Sequence, residues 1–184
     1  MSLRQKVDRE RIKNFFKKLG RRFRQAGKIY LVGGTTLVFE QLREQTVDID
    51  VVIEVSPKHH GQIIQAIREL KDDLSVNVEE ASPGDFIPLP KGYQSRHQFV
   101  ERFGLIDLFH FDLYSTALSK IERARTQDIE DVLALLRSNK IEWKKLAEYF
   151  QEILPKMGHQ SLKQDPVEFE ENFRALENLW ETKN

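Results

Sequence analysis

The sequence predicts an α+β fold, a small mixed β-sheet flanked by helices with a helical C-terminal region. Three observations carry that prediction. Short apolar runs with period-two alternation lie between residues 29 and 111, helical spacing of apolar residues flanks them, and from residue 114 onward only helical spacing remains. The divisions expected are an N-terminal basic amphipathic helix over 1–27 packed on the core, a sheet-bearing core over 28–113, and a helical region over 114–184.

The 184 residues and 40% hydrophobic content are enough for a folded domain. Lys and Arg number 29, as do Asp and Glu, so the chain is formally neutral and bulk charge argues for no nucleic-acid partner. The absence of cysteine excludes a disulfide framework and thiolate metal sites. No apolar run is long enough for a bilayer, and the basic start leads into a charged helix and not an apolar signal core. A cytoplasmic protein with no membrane association is the expectation.

Arg4 to Gly27 reads as the first helix, with Ile12, Phe15, Phe16, Leu19 and Phe23 on one face. Between Arg4 and Lys28 there are eleven Lys or Arg against Asp8 and Glu10. Two readings of that charge are open. It suits contact with an RNA backbone, or it is a solvated face or a partner for the acidic segment from Asp165 to Asn184.

Ile29 to Val32 reads as a buried strand, broken by Gly33-Gly34, and Thr35 opens a helix on Leu37, Val38 and Leu42. Val47 to Val55 alternates: Ile49, Val51, Ile53 and Val55 face one way and Asp48, Asp50, Val52 and Glu54 the other. Asp48 and Asp50 therefore share a side, roughly 7 Å apart along the strand, within reach of one or two hard cations. Backbone N–H groups at the glycine pair are bare enough to meet a phosphate.

Ser56-Pro57 suits a helix entry, followed by the stripe Ile63, Ile64, Ile67, Leu70 and an end near Lys71. His59 and His60 point about 100° apart on that helix, which makes surface decoration the better reading than a shared ion. Ser75 to Glu79 reads as a third strand. Ala81 to Gly92, with three prolines and two glycines, reads as irregular, a candidate wall for a nucleotide with Phe86, Tyr93 and Arg96 available for stacking or phosphate contact.

His97 to Phe103 and Leu105 to Phe111 read as two strands meeting near Gly104. Asp107 shares its face with Leu105, Phe109 and Phe111, a costly place for an ionised acid unless a cation holds it. It is the leading third carboxylate, with Asp112 (which also suits a helix cap) and Asp85 as competitors. Helices follow from Tyr114, from a Thr126 cap onward, from Ile141 to Leu154, and from Pro166 to Trp180, with a connector over Pro155 to Gln164. Lys120 lies off the first buried stripe, ahead of Arg123, Arg125 and Asp128, and an exposed face of ion pairs is the alternative use for these charges.

Gly33-Gly34, thirteen residues, then Asp48-Ile49-Asp50, with apolar strands on both sides, resembles the signature of the DNA polymerase beta-like nucleotidyltransferase superfamily. A hairpin-like unit with a solvated acidic edge is the alternative. The Gly-Leu-Ile-Asp-Leu wording around Asp107 and the Lys120 to Asp131 segment look like the abortive-infection and toxin-type members. The resemblance covers about 28–136, and Gln127 departs from it where the family more often has lysine.

What the resemblance implies is a metal-dependent transfer of a nucleoside monophosphate from an NTP to a hydroxyl acceptor. Mg2+ or Mn2+ would sit on Asp48, Asp50 and Asp107. Gly33, Gly34 and Thr35 would cradle the phosphates, Lys120 would hold the triphosphate, and Asp128 would orient Lys120 or the acceptor. The acceptor would be tRNA or a protein, with a cognate antitoxin protein as partner. A catalytically silent nucleotide-binding or protein-interaction module of the same fold is the alternative.

Overall fold

The computed structural model describes residues 5–159 and 164–182. Arg4, Lys183 and residues 160–163 of the expected connector lie outside the described residues. The chain divides into two compact units, one formed by 1–81 with 97–111 and the other by 82–96 with 112–184.

The first unit is a five-stranded mixed sheet in the order β3-β2-β1-β5-β4, formed by β1 (Gly27–Leu31), β2 (Asp48–Val55), β3 (Asn77–Glu80), β4 (Gln98–Phe103) and β5 (Ile106–His110). β1 pairs antiparallel with β2 and parallel with β5, and β2 pairs parallel with β3. The hairpin β4–β5 turns at Gly104, whose φ of +62° a side-chain-bearing residue would adopt only with strain. Gly104 also meets Gly20 backbone to backbone, so neither position has room for a Cβ.

Three helices belong to this unit: α1 (Arg9–Arg22), α2 (Gly33–Phe39) and α3 (Pro57–Leu74). α1 starts later than the charge pattern suggested because the Asp8 side chain caps it, accepting from Arg11 N. Ile12, Phe15, Phe16 and Leu19 of α1 and Ile63, Ile67 and Leu70 of α3 bury against Ile29, Leu31, Ile49, Val51 and Leu108. This is the apolar side of the alternation in β2, and the aspartates point to the opposite side.

The second unit is helical, with α4 (Leu113–Arg123), α5 (Thr126–Arg137), α6 (Trp143–Ile153) and α7 (Pro166–Glu181). Its core includes Leu118, Ile121, Val132, Leu136, Phe150 and Phe169, all buried. Phe150 stacks on Phe173 at 3.9 Å between ring centroids, so the C-terminal aromatic stripe is core. Thr126 is the first residue of α5 and not its cap; Arg125 holds that position without a side-chain bond. Asp112 caps α4, accepting from Tyr114 N and Ser115 N. The proline-rich loop folds into two 3-10 turns, Pro83–Asp85 and Tyr93–Arg96, and groups with the helices.

Candidate active site

The site begins where β1 ends. Val32 N donates to Asp50 O at 3.1 Å, which holds the start of β2 beside the turn into α2. Gly33 takes φ +57°, a conformation that favours glycine. A Cβ on Gly33 would stand 3.0 Å from Asp50 Oδ2, so the missing side chain leaves a hollow directly against that carboxylate.

Thr35 is fully buried and clamps α2 to β2. Its hydroxyl accepts from Asp50 N at 2.8 Å and donates to Asp48 O at 3.2 Å. The side chain is therefore committed to positioning the two aspartates, and what residue 35 can offer a phosphate is its backbone. Thr36 and Glu40 fix the other side of α2, where Glu40 Oε1 lies 2.7 Å from buried His110 Nε2.

Asp48 and Asp50 are half-buried on one face of β2. Asn77 of β3 lies opposite Asp48 in the ladder, and Glu79 lies opposite Asp50. Asn77 Nδ2 donates to Asp48 Oδ1 and to Glu79 Oε1, both at 2.7 Å. Arg43, in the loop before β2, brings Nη1 within 3.1 Å of where a Gly34 Cβ would stand. Sequence reading missed Asn77, Glu79 and Arg43: β3 pairing is a long-range fact, and Arg43 lies in a loop with no periodic pattern.

Asp107 does share the face of Asp48 and Asp50, but it does not join them. It is level with Lys28, which is level with Glu54, four residues along β2 from Asp50. That is roughly 13 Å along the strands and about 10 Å across two of them. The cation that makes its position tolerable is Arg102, which donates to both carboxylate oxygens at 2.6 and 2.9 Å. This pairing holds Asp107 below the usual carboxylate range. On β5 the side chains nearest the level of the aspartates are Phe109 and Phe111, which pack around Tyr30. The expectation of a third metal carboxylate at Asp107 is thus corrected by register. Among the described residues no group of three His, Cys, Asp or Glu side chains is arranged to hold a metal.

Its competitors are occupied as well. Asp85 accepts from Ser82 N at 2.7 Å, and buried Asp112 pairs with Arg96 through bonds of 3.0 and 2.9 Å. Arg96 also stacks over Tyr149 at 4.3 Å, and Arg123 over Phe86 at 5.1 Å. Arg96 and Phe86 are thereby engaged within their own unit.

In the helical unit Lys120 is buried, with 2% of its surface exposed, and its Nζ donates to Asp128 Oδ1 at 3.0 Å and Asp131 Oδ2 at 2.7 Å. Arg123 Nη2 donates to the same Asp128 oxygen at 2.7 Å. Two cations and two carboxylates balance there, joining α4 to α5. The Asp128 Oδ2 and Arg123 Nε atoms are buried without a hydrogen-bond partner. Asp131, three residues past Asp128 on α5, went unrecognised because its sequence neighbours give it no special setting.

A glycine turn backing a pair of strand carboxylates is what the family comparison then meets. Residues 10–177 match a family described as nucleotidyltransferase of unknown function (DUF6036). The chain belongs to this family. No curated protein and no solved structure matches it. The match spans both units and supports nucleotidyl transfer as the general activity of this nucleotidyltransferase domain. Among the described residues no helix is long and apolar enough to cross a membrane.

Proposed function

We propose that this nucleotidyltransferase moves a nucleoside monophosphate from an NTP to a hydroxyl acceptor, using a divalent cation held by Asp48 and Asp50. The observation that carries the reading is the placement of both carboxylates on one side of β2, with Asp50 Oδ2 against the hollow left by Gly33. Magnesium is commonly held by one or two carboxylates together with substrate phosphates and waters, and two carboxylates beside an open backbone turn fit that requirement. Mg2+ or Mn2+ bound there supplies charge neutralisation of the triphosphate and polarisation of the α-phosphorus.

The residues of the chain supply the rest. Gly33 and Gly34 present backbone N–H groups and space for the phosphates, and Thr35 keeps the aspartates and the turn in fixed relation. The acceptor oxygen attacks the α-phosphorus, the bond to the bridging oxygen breaks, and pyrophosphate leaves. The hydroxyl proton passes to the carboxylate pair or to solvent. Lys120 enters this proposal as the cation for the departing pyrophosphate with Asp128 orienting it, a role that requires its ammonium to leave Asp131.

For the acceptor we favour tRNA or a protein, in the manner of toxin-type members with a neutralising antitoxin. RNA is the acceptor for which α1 offers most, because Lys17, Lys18 and Arg21 are exposed and paired with no carboxylate among the described contacts. Those cations lie on the apolar-core side of the sheet, so an RNA bound to them must pass around its edge to reach Asp50.

One observation favours a second reading, a catalytically silent nucleotide-binding module. Asp107 is turned to Arg102 and no other third carboxylate converges on the pair. Incubation with α-labelled NTP and magnesium, followed by separation of RNA and protein, distinguishes the two. The enzyme reading predicts label on the acceptor and its loss by roughly a thousandfold or more in Asp50→Ala. The melting temperature should stay level or rise, since a like-charge neighbour is removed. Nucleotide-dependent stabilisation with no label transfer would establish the module, and full transfer by Asp50→Ala would refute the catalytic assignment.

A further inference from the structure

We infer that Asn77 is a positioning residue for the metal site, holding Asp48 in its binding orientation without cancelling the negative charge that the cation requires. This inference rests on the metal reading of Asp48 and Asp50.

The argument starts from the requirement itself. Carboxylates that bind a divalent ion must be held still, yet the strongest holder of a carboxylate is a guanidinium or ammonium, which neutralises it. Asp107 illustrates the consequence: Arg102 takes both of its oxygens, and its charge is spent. Asp112 repeats it with Arg96.

The partner printed for Asp48 on β3 is of a different kind. A carboxamide NH2 has two protons, and Asn77 directs them to Asp48 Oδ1 and Glu79 Oε1 at 2.7 Å each. The amide is neutral. It orients Asp48 from the neighbouring strand and holds Glu79 beside it, so the net negative charge of this edge survives. The ladder makes the arrangement possible, because Asn77 is level with Asp48 and Glu79 with Asp50. Asp48 is therefore fixed from both sides, by Asn77 at its carboxylate and by the Thr35 hydroxyl at its carbonyl.

The test is a titration of the full chain with Mn2+ alone, reading free Mn2+ by electron paramagnetic resonance, with no nucleotide and no turnover. Asn77→Ala should raise the apparent dissociation constant about tenfold or more. Its melting temperature should remain close to that of the wild type, since the position is partly exposed on an edge strand. Asn77→Lys keeps an N–H donor but brings a charge, and should bind Mn2+ more weakly still. Asn77→Ser, which retains one donor, should fall between wild type and alanine and replaces Asn77→Ala if that variant fails to fold. Wild-type affinity in Asn77→Ala, or recovery of it in Asn77→Lys, overturns the inference. Asp50→Ala is the control: if it too binds Mn2+ like the wild type, the metal reading itself has failed and not merely the role of Asn77.

Discussion

Gly33 is the residue at which backbone conformation and chemistry meet. Its φ of +57° is open to glycine, and a Cβ there would press on Asp50 Oδ2 at 3.0 Å. An alanine at this position carries a conformational cost of about 1–2 kcal/mol before the contact is counted. Gly33→Ala should lower the melting temperature by about 3–6 °C, and nucleotidyl transfer should fall steeply because Asp50 must turn aside. Adding Asp50→Ala should recover part of the lost stability by removing the crowded oxygen. A Gly33→Ala protein with wild-type activity would show that the hollow is not used. This residue pair was legible in the sequence because it depends on local facts: a glycine pair after an apolar strand, and alternation along the next one. Asp107 was misread for the opposite reason. Its face was deduced correctly from alternation, but its level along the sheet depends on the register of β5 with β1, which nothing within β5 itself specifies.

At the scale of elements, the Lys120 cluster decides how α4 and α5 hold together. Lys120 is buried between Asp128 and Asp131, with Arg123 sharing Asp128. Replacing it by methionine leaves two buried carboxylates with one cation, a loss of about 3–5 kcal/mol. Thermal or urea denaturation of Lys120→Met should show that loss. A variant with unchanged stability and impaired transfer would instead mean that Lys120 serves the triphosphate alone. The helices themselves were readable from their apolar stripes, and α6 and α7 fall close to the predicted spans. What the stripe did not convey is which charges end up inside. Lys120 lies off the apolar stripe, yet it is buried, because ion pairing with the next helix offsets the desolvation that its position alone would forbid. In the same way β3 was visible as a short strand, but its pairing with β2, and hence Asn77 and Glu79 as neighbours of the aspartates, is a contact across 29 residues of chain.

For the molecule as a whole, zero net charge conceals a division of labour among charges. In α1, Arg9, Arg11, Lys13 and Arg22 are engaged within the sheet-bearing unit, with Phe39 O, Leu74 O, Glu101 and the Glu69–Asp73 pair respectively. Much of the basic character that suggested RNA is thus structural, and what remains for a partner is Lys17, Lys18, Arg21 and their neighbours. The acidic charge beside Gly33 is the part left for a cation. A co-structure of the chain with magnesium and a non-hydrolysable NTP is the most direct trial of that statement. The account predicts a magnesium ion about 2.1 Å from oxygens of Asp48 and Asp50, with the triphosphate lying along Gly33 and Gly34. Magnesium and triphosphate bound elsewhere, with Asp48 and Asp50 left uncoordinated, would contradict it.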